Sequence, residues 1–288
     1  MSSKDGRIVV LGASGFVGRH VVTRAEQLGW EVLGLSSRDI DLATPTGATV
    51  LSRLLRVGDT VVHGAAIVPA RNAKDLIQNL LMTQSVIEAI VDHNISQLVV
   101  ISSDAVYGNE SGVITESSNC SPDSMHGIMS LAREMMFGDL DVPVVTFVRS
   151  APIYGKGDTH NSYGPNRFIS QMIAGGEIVI FGEGAAIRDH VFIEDVADVV
   201  LRTITDRERG VINIASGESI SFAKIAEIVC LAGPTGSKIK VSGSESTPTF
   251  RHFDISRLLY LYPDYDPVSP AAGTRRVIES IQGGVIRG

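Results

Sequence analysis

A doubly wound α/β fold, with a parallel sheet covered by helices on both faces and a smaller C-terminal lobe, is what this sequence predicts. Three observations carry it. Five short runs in the first half are nearly continuous in Val, Ile and Leu instead of alternating, as strands buried on both faces are. Segments of helical spacing separate them, so successive strands are joined by right-handed helical crossovers. A glycine-rich turn, Gly12-Ala13-Ser14-Gly15-Phe16-Val17-Gly18, links the first run to the first helix.

Taken in order, Arg7 to Leu11 is apolar and β-branched and reads as the first strand. Phe16 to Leu28 reads as a helix stopped by Gly29, and Glu31 to Leu35 as the second strand. Val50 to Val57 has helical spacing, and Thr60 to His63 is a third strand. Asp75 to Val91 is a long amphipathic helix whose apolar side is Leu76, Leu80, Val86, Ile87, Ile90 and Val91. Gln97 to Ser102 is a fourth strand, Ser124 to Phe137 a helix and Val142 to Val148 a fifth strand. After Tyr154-Gly155 the alternation lapses, and Gly, Pro and Asn become frequent. Val191 to Ala215 regains strand–helix–strand character and is expected to return to the first sheet. The expected division is a dinucleotide-binding domain of residues 1–157 and 190–215, with a substrate lobe of residues 158–189 and 216–288.

Composition sets outer bounds. The 288 residues are 44% hydrophobic and 20% charged, ample for a sizeable core without staples. A formal net charge of −7 gives no electrostatic reason to expect nucleic acid or an anionic membrane. No apolar run reaches the roughly 18 residues of a membrane span, and no secretory signal is legible. Cys120 and Cys230 make neither a disulfide framework nor a CxxC site, and His160, His190 and His252 lack metal-ligand spacing, so no metal is expected. A cytoplasmic setting is the reading.

The glycine turn carries the clearest chemistry. Between a strand and a helix, Gly12, Ser14, Gly15, Phe16, Val17 and Gly18 offer a tight turn, close backbone approach and the positive end of a helix, which together hold a pyrophosphate. An acid at the end of the second strand would bind the ribose 2′-hydroxyl of NAD. The chain reads Leu35-Ser36-Ser37-Arg38 there, and hydroxyls plus a guanidinium suit the 2′-phosphate of NADP. NADP is the expected cofactor, with NAD the alternative. Asp41 and Leu42 follow, placed to lie against an adenine.

GASGFVG, His63-Gly64-Ala65-Ala66, Asn79, Ser102-Ser103-Asp104-Ala105-Val106-Tyr107-Gly108, Arg149 through Tyr154-Gly155, GEGAAIRDHVFIEDVA and the late FRHFDISRL occur in order over nearly the whole chain. With these pieces the chain resembles the extended short-chain dehydrogenase/reductases, NAD(P)-dependent epimerases, dehydratases and reductases of nucleotide sugars with a Rossmann sheet. The serine-rich stretch after the second strand looks most like the reductase branch. The resemblance implies further cofactor contacts from Ala65, Ala66 and Asn79, substrate contacts from Asp104, Asn166, Arg188 and Arg251, and a homodimer formed by the 75–91 and Met-rich helices. Ala105 stands where the dehydratases carry a glutamate, which argues against their usual chemistry.

In such enzymes a tyrosine phenolate takes a proton from a sugar hydroxyl while hydride passes to the nicotinamide, and a lysine four residues on lowers the tyrosine pKa. One helix face holds both. This chain departs from that pattern. The helix reads His126-Gly127-Ile128-Met129-Ser130-Leu131-Ala132-Arg133-Glu134, so His126 holds the tyrosine position and Ser130 the lysine position. None of the six tyrosines has a lysine four residues on; Tyr163 with Arg167 is the nearest imitation. Histidine titrates near neutrality without help. Two functions follow: a nucleotide-sugar oxidoreductase or epimerase whose altered acid–base chemistry uses Ser103, His126 and Ser130, or a catalytically inactive protein of the same fold that binds NAD(P) or a nucleotide sugar.

Overall fold

The structure, a computed structural model, describes residues 6–109, 111–158, 164–233, 237–243 and 248–285. His160 and Tyr163 lie outside the described residues. In chain order the elements are β1 (Arg7–Leu11), α1 (Phe16–Gln27), β2 (Glu31–Leu35), α2 (Gly47–Leu54), β3 (Thr60–His63), α3 (Ala73–Ile90), β4 (Gln97–Ser103), a 3-10 turn (Asp104–Tyr107), β5 (Gly112–Ile114), α4 (Met125–Gly138) and β6 (Val145–Ser150). Then come β7 (Ile153–Tyr154), α5 (Pro165–Ile173), β8 (Ile178–Phe181), β9 (Ile187–Asp189), β10 (Val191–Phe192), α6 (Ile193–Thr205) and β11 (Gly210–Ile214). The last are β12 (Ser219–Ser221), α7 (Phe222–Ala232), β13 (Ile239–Ser242), β14 (Arg251–Phe253), α8 (Ser256–Leu261) and α9 (Pro270–Val285).

The chain divides into two compact units: one of residues up to Gly108, Asn119–Ser150 and Val196–Ile212, the other of Asn109–Ser118, Ala151–Asp195 and Asn213 onward. The first holds the six-stranded sheet, ordered β11-β6-β4-β3-β1-β2. The pairs β1–β2, β1–β3, β3–β4 and β4–β6 are parallel. Its continuous apolar strands are explained by burial on both faces. Val9, Leu11, Val61, Leu98 and Val100 join Val86, Ala89 and Ile90 of α3 and Phe137 of α4 in one core layer. Ile8, Val10, Val62 and Val99 alternate with them toward the opposite face and are equally buried. The chain leaves β1 to one side for β2 and returns to its other side for β3, so a crevice opens beyond the C-terminal ends of β1 and β3, where doubly wound sheets bind ligands.

The second unit has no such sheet among its described residues. It contains two-stranded ladders, β7–β10, β9–β12, β8–β13 and β5–β14. Its core gathers Tyr154, Phe168, Ile169, Met172, Ile178, Phe192, Ile225, Val229, Val277 and Ile278 from α5, α7, α9 and the intervening strands.

Two elements differ from their expected bounds. The helix expected at Val50 to Val57 runs Gly47–Leu54, because Leu55 turns extended (ψ 150°) to bury its side chain and Gly58 follows in the left-handed region. The fifth strand, expected at Val142 to Val148, runs Val145–Ser150, because Arg149 and Ser150 continue the ladder against Ser102 and Ser103. Asp195 lies within the first turn of α6, and its carboxylate accepts the backbone N–H of Val268. The strand–helix–strand expected at Val191 to Ala215 is β10, α6 and β11, and β11 joins the sheet beside β6.

Candidate dinucleotide and reaction site

The C-terminal ends of β1, β2 and β3 are tied together by backbone bonds. Gly12 and Ala13 donate to the Leu35 carbonyl at 2.8 and 3.0 Å, and Gly64 donates to the Leu11 carbonyl at 2.9 Å. Two glycines make this closure possible. Gly12 has φ +85°, and a Cβ there would lie 2.7 Å from Ala65 N. A Cβ on Gly18 would lie 2.2 Å from the Gly12 carbonyl oxygen. Gly15 caps α1 without a side-chain bond, and the first turn holds no acid. The first helical acceptor bond is Arg19 N to Gly15 O, so the N–H groups of Phe16, Val17 and Gly18 have no acceptor within the helix. Ser14 and Gly15 are exposed beside them. Unfilled donors at the positive end of a helix, reached through glycines, suit a pyrophosphate, so these residues fit a dinucleotide.

The remaining cofactor candidates do different work. Asn79, fully buried, accepts from Ile67 N at 2.8 Å and donates to the carbonyls of Ile67 and Asp75, fixing the segment after Ala65 and Ala66. After β2, Ser36 donates its hydroxyl to Asp39 and accepts from Arg38 N. The Asp39 carboxylate also accepts Ser36 N at 2.8 Å, and these bonds hold its pKa below the usual carboxylate value. An acid therefore does stand at the end of β2, folded back on the loop, a feature hidden in the sequence by its two-residue offset from Ser37. Ser37 and Arg38 are exposed. Asp41 accepts Ala43 N, and Leu42 is buried in the core.

The reaction candidates sit on β4, the 3-10 turn and α4. Ser103 caps the 3-10 turn, accepting Ala105 N at 3.2 Å, and its hydroxyl lies 3.4 Å from the Asp104 carboxylate. On α4, His126 is half-buried, and Ser130, one turn on and buried, donates to the His126 carbonyl at 3.0 Å. That bond uses the Ser130 hydroxyl inside its own helix. Gly127 lets α4 approach the turn, since a Cβ there would lie 2.3 Å from the Ala105 carbonyl oxygen. Below them lies a buried charged network whose members are remote from one another in sequence. Glu134 accepts Ser102 Oγ and is gripped by Arg149, with Nε at 3.0 Å and the terminal nitrogen at 2.6 Å. Arg149 also donates to Tyr107 Oη at 3.0 Å and covers that ring at 4.9 Å. Burial pulls the Arg149 pKa down, but the bonds to Glu134 and Tyr107 outweigh it and hold the guanidinium above its ordinary value. The network ties α4, β4, β6 and the turn into one frame for Ser103 and His126.

In the second unit, Asn166 accepts Gly155 N and donates to Gly155 O and Asp158. Arg188 on β9 donates to the Ile187 and Thr249 carbonyls, Thr249 Oγ1 and Asn109. Those bonds spend much of the fork expected to hold a ligand on the seam with the segment before β14. Arg251, on β14, is buried, with its guanidinium 5.9 Å from the Phe253 ring centre. Asp189 accepts Ser216 N, Ser216 Oγ and Gly217 N; burial outweighs these bonds and raises its pKa to about 6. Among the described residues no group of three His, Cys, Asp or Glu is arranged to hold a metal, and no helix is long and apolar enough to cross a membrane.

Residues 8–215 match the NAD dependent epimerase/dehydratase family. The chain is 26% identical to the dTDP-4-dehydro-6-deoxy-D-allose reductase of a Streptomyces species, with 92% of this chain and 93% of that protein covered. It superposes on MoeE5 in complex with UDP-glucose and NAD with a TM-score of 0.83 and 26% identity, over 97% of this chain and 100% of that one. The UDP-glucose 4-epimerase of Thermus thermophilus, in complex with NAD, gives a TM-score of 0.84 at 20% identity over 96% and 99% of the two chains, a likeness of fold alone. The chain belongs to the NAD dependent epimerase/dehydratase family, within the extended short-chain dehydrogenase/reductases, and its sheet is a Rossmann sheet.

Proposed function

We propose that the protein is an NAD(P)-dependent oxidoreductase or epimerase of a nucleotide sugar, with residues 1–157 and 190–215 binding the dinucleotide and residues 158–189 and 216–288 forming the substrate lobe. The observation that carries the reading is the uncapped N-terminus of α1, whose open N–H groups stand behind Gly12, Gly15 and Gly18 at the C-terminal edge of the sheet. The relatives named above support the substrate class, since one is a dTDP-sugar reductase and another is a complex with UDP-glucose and NAD.

When bound, the nicotinamide supplies an acceptor or donor of hydride. His126, in its neutral form, takes the proton of a sugar hydroxyl as hydride leaves the same carbon, and returns it in reduction. Ser103 hydrogen-bonds that oxygen. Ser130 shapes the helix face. Glu134 and Arg149 keep β4 and α4 in register. Arg38 favours NADP through a 2′-phosphate, while Asp39 beside it favours NAD, and the guanidinium gives NADP the advantage. Arg251 and Asn166 serve the nucleotide-sugar side. The exposed apolar residues Ile77 and Leu81 of α3 and Ile128 and Met135 of α4 support a homodimer through these helices.

Calorimetric titration with NAD and NADP, followed by incubation with UDP- and dTDP-sugars and chromatography of the products, tests the reading. Cofactor binding with a converted sugar, lost in His126→Ala, is the expected result. Cofactor binding with no conversion of any sugar establishes the inactive alternative instead.

A further inference from the structure

Arg19 stands beside the glycine turn with an open guanidinium. It is the fourth residue of α1 and is exposed. Its Nε donates to the Gly15 carbonyl at 3.2 Å. Its two terminal nitrogens have neither a hydrogen-bond partner nor an anion among the described residues.

Three hydrogen bonds in series carry this anchor to the second strand. Arg19 Nε bonds Gly15 O, Gly15 N bonds Gly12 O at 2.9 Å, and Gly12 N bonds Leu35 O at 2.8 Å. The helix face agrees. Arg19 and Val22 are three residues apart and share one side of α1. A Cβ on Gly34 would lie 3.5 Å from Val22 Cγ2, so that side looks toward β2. The helix runs back along the sheet, opposite in direction to β2. Three helical residues rise about 4.5 Å and each strand residue about 3.3 Å, so Arg19 stands level with Leu35 and Ser36, where β2 ends. Its side chain leans toward the helix N-terminus, beyond the end of the strand.

The same strand end carries Ser36, Ser37 and Arg38. Arg38 is exposed, and its backbone N–H donates to Ser36 Oγ at 3.2 Å. Asp39 accepts Ser36 N and Ser36 Oγ, which hold its carboxylate ionised, and the Arg38 charge adds to that effect. Arg38 therefore already faces an anion, whereas Arg19 does not. A phosphate monoester carries close to two negative charges at neutral pH, and one guanidinium shared with a carboxylate does not balance it. The open N–H groups at the start of α1 serve a pyrophosphate without Arg19, so its charge is left for the ribose side. We propose that Arg19 is the second cation of a 2′-phosphate clamp, with Arg19 on the helix side and Arg38 on the loop side of the end of β2. The ligand class is an adenine dinucleotide phosphorylated on its adenosine ribose, and the proposal rests on the dinucleotide reading of the glycine turn above.

Calorimetric titration of the whole protein with NADP, NAD, 2′,5′-ADP and 5′-AMP tests this. Arg19→Gln should weaken NADP and 2′,5′-ADP about tenfold and leave NAD and 5′-AMP within twofold, because only the first pair carries the 2′-phosphate. Arg19→Lys keeps the charge and should stay within about threefold of the parent for NADP. Arg19→Gln with Arg38→Ala should bind NADP no more tightly than NAD. Both positions are exposed, so the melting midpoints should match the parent. An unchanged NADP affinity in Arg19→Gln overturns the proposal. So does an equal loss for NAD and NADP, which assigns Arg19 to the pyrophosphate instead. A parent that binds NAD but not NADP overturns the clamp and leaves the dinucleotide reading standing, whereas a parent that binds neither refutes that reading as well.

Discussion

Removing the Glu134 carboxylate should be among the most damaging single changes in the first unit. Glu134 is 6% exposed and its partner Arg149 7%. The carboxylate accepts Ser102 Oγ and three contacts from Arg149, at 2.6, 3.0 and 3.2 Å. Glu134→Ala leaves the guanidinium buried with the Tyr107 hydroxyl and the weakly accepting Cys120 thiol. Stranding one partner of a buried pair costs about 3–5 kcal/mol. At roughly 2–4 °C per kcal/mol for a chain of this size, the melting midpoint should fall by about 10 °C. Arg149→Met on the same background removes the stranded charge and should recover more than half of the loss. Urea unfolding of the parent, both single variants and the double variant closes the cycle. A loss below about 1 kcal/mol in Glu134→Ala, or a double variant as unstable as the sum of the singles, would mean that the pair contributes no more than an exposed one.

Other substitutions probe separate parts. Gly18→Ala places a Cβ against the Gly12 carbonyl, and dinucleotide binding should fall below detection by calorimetry in a protein that still folds. Arg38→Ala should weaken NADP at least tenfold and leave NAD within twofold, by fluorescence titration. His190 is buried, and burial lowers its pKa to about 3. Its stabilising contribution is therefore complete above the ordinary imidazole pKa of about 6.5 and is lost as pH falls below it; His190→Gln should flatten the decline in urea midpoint between pH 7 and 4.5. Asp189 acts in the opposite sense: its raised pKa gives a contribution present in acid and lost as pH rises through about 6, so Asp189→Asn should remove that loss.

The sheet of the first unit was legible because buried parallel strands leave uninterrupted apolar runs. β1, β2 and β3 stand at the residues read from them, and α1, α3 and α4 within two residues at each end. The second unit was not, because its strands are two to four residues long and their partners are remote: Gly112 of β5 pairs with Arg251 of β14. The glycine turn was readable from spacing alone. Asp39 was not, because its carboxylate reaches β2 only through a reversal of the loop. The burial of Arg133, 3% exposed, was not legible because a charge on an amphipathic helix reads as solvent-facing. The roles of Asn79 and Arg188 depend on carbonyls that no side-chain pattern reveals.

The dividing line between the two units falls at 108/109, 118/119, 150/151, 195/196 and 212/213, so the chain crosses it five times. β6 ends at Ser150, but the strand beside it, β11, ends only at Ile214. During synthesis at about 5–20 residues per second, those 64 residues keep the β6 edge without its neighbour for roughly 3–13 s. An unpaired edge in an apolar sheet is a template for another chain. Growth of this protein on the ribosome thus contains a window in which a nearly finished nucleotide fold is adhesive, and cleavage near Ser150 makes that window permanent: the released fragment should self-associate instead of persisting as a small dinucleotide-binding protein.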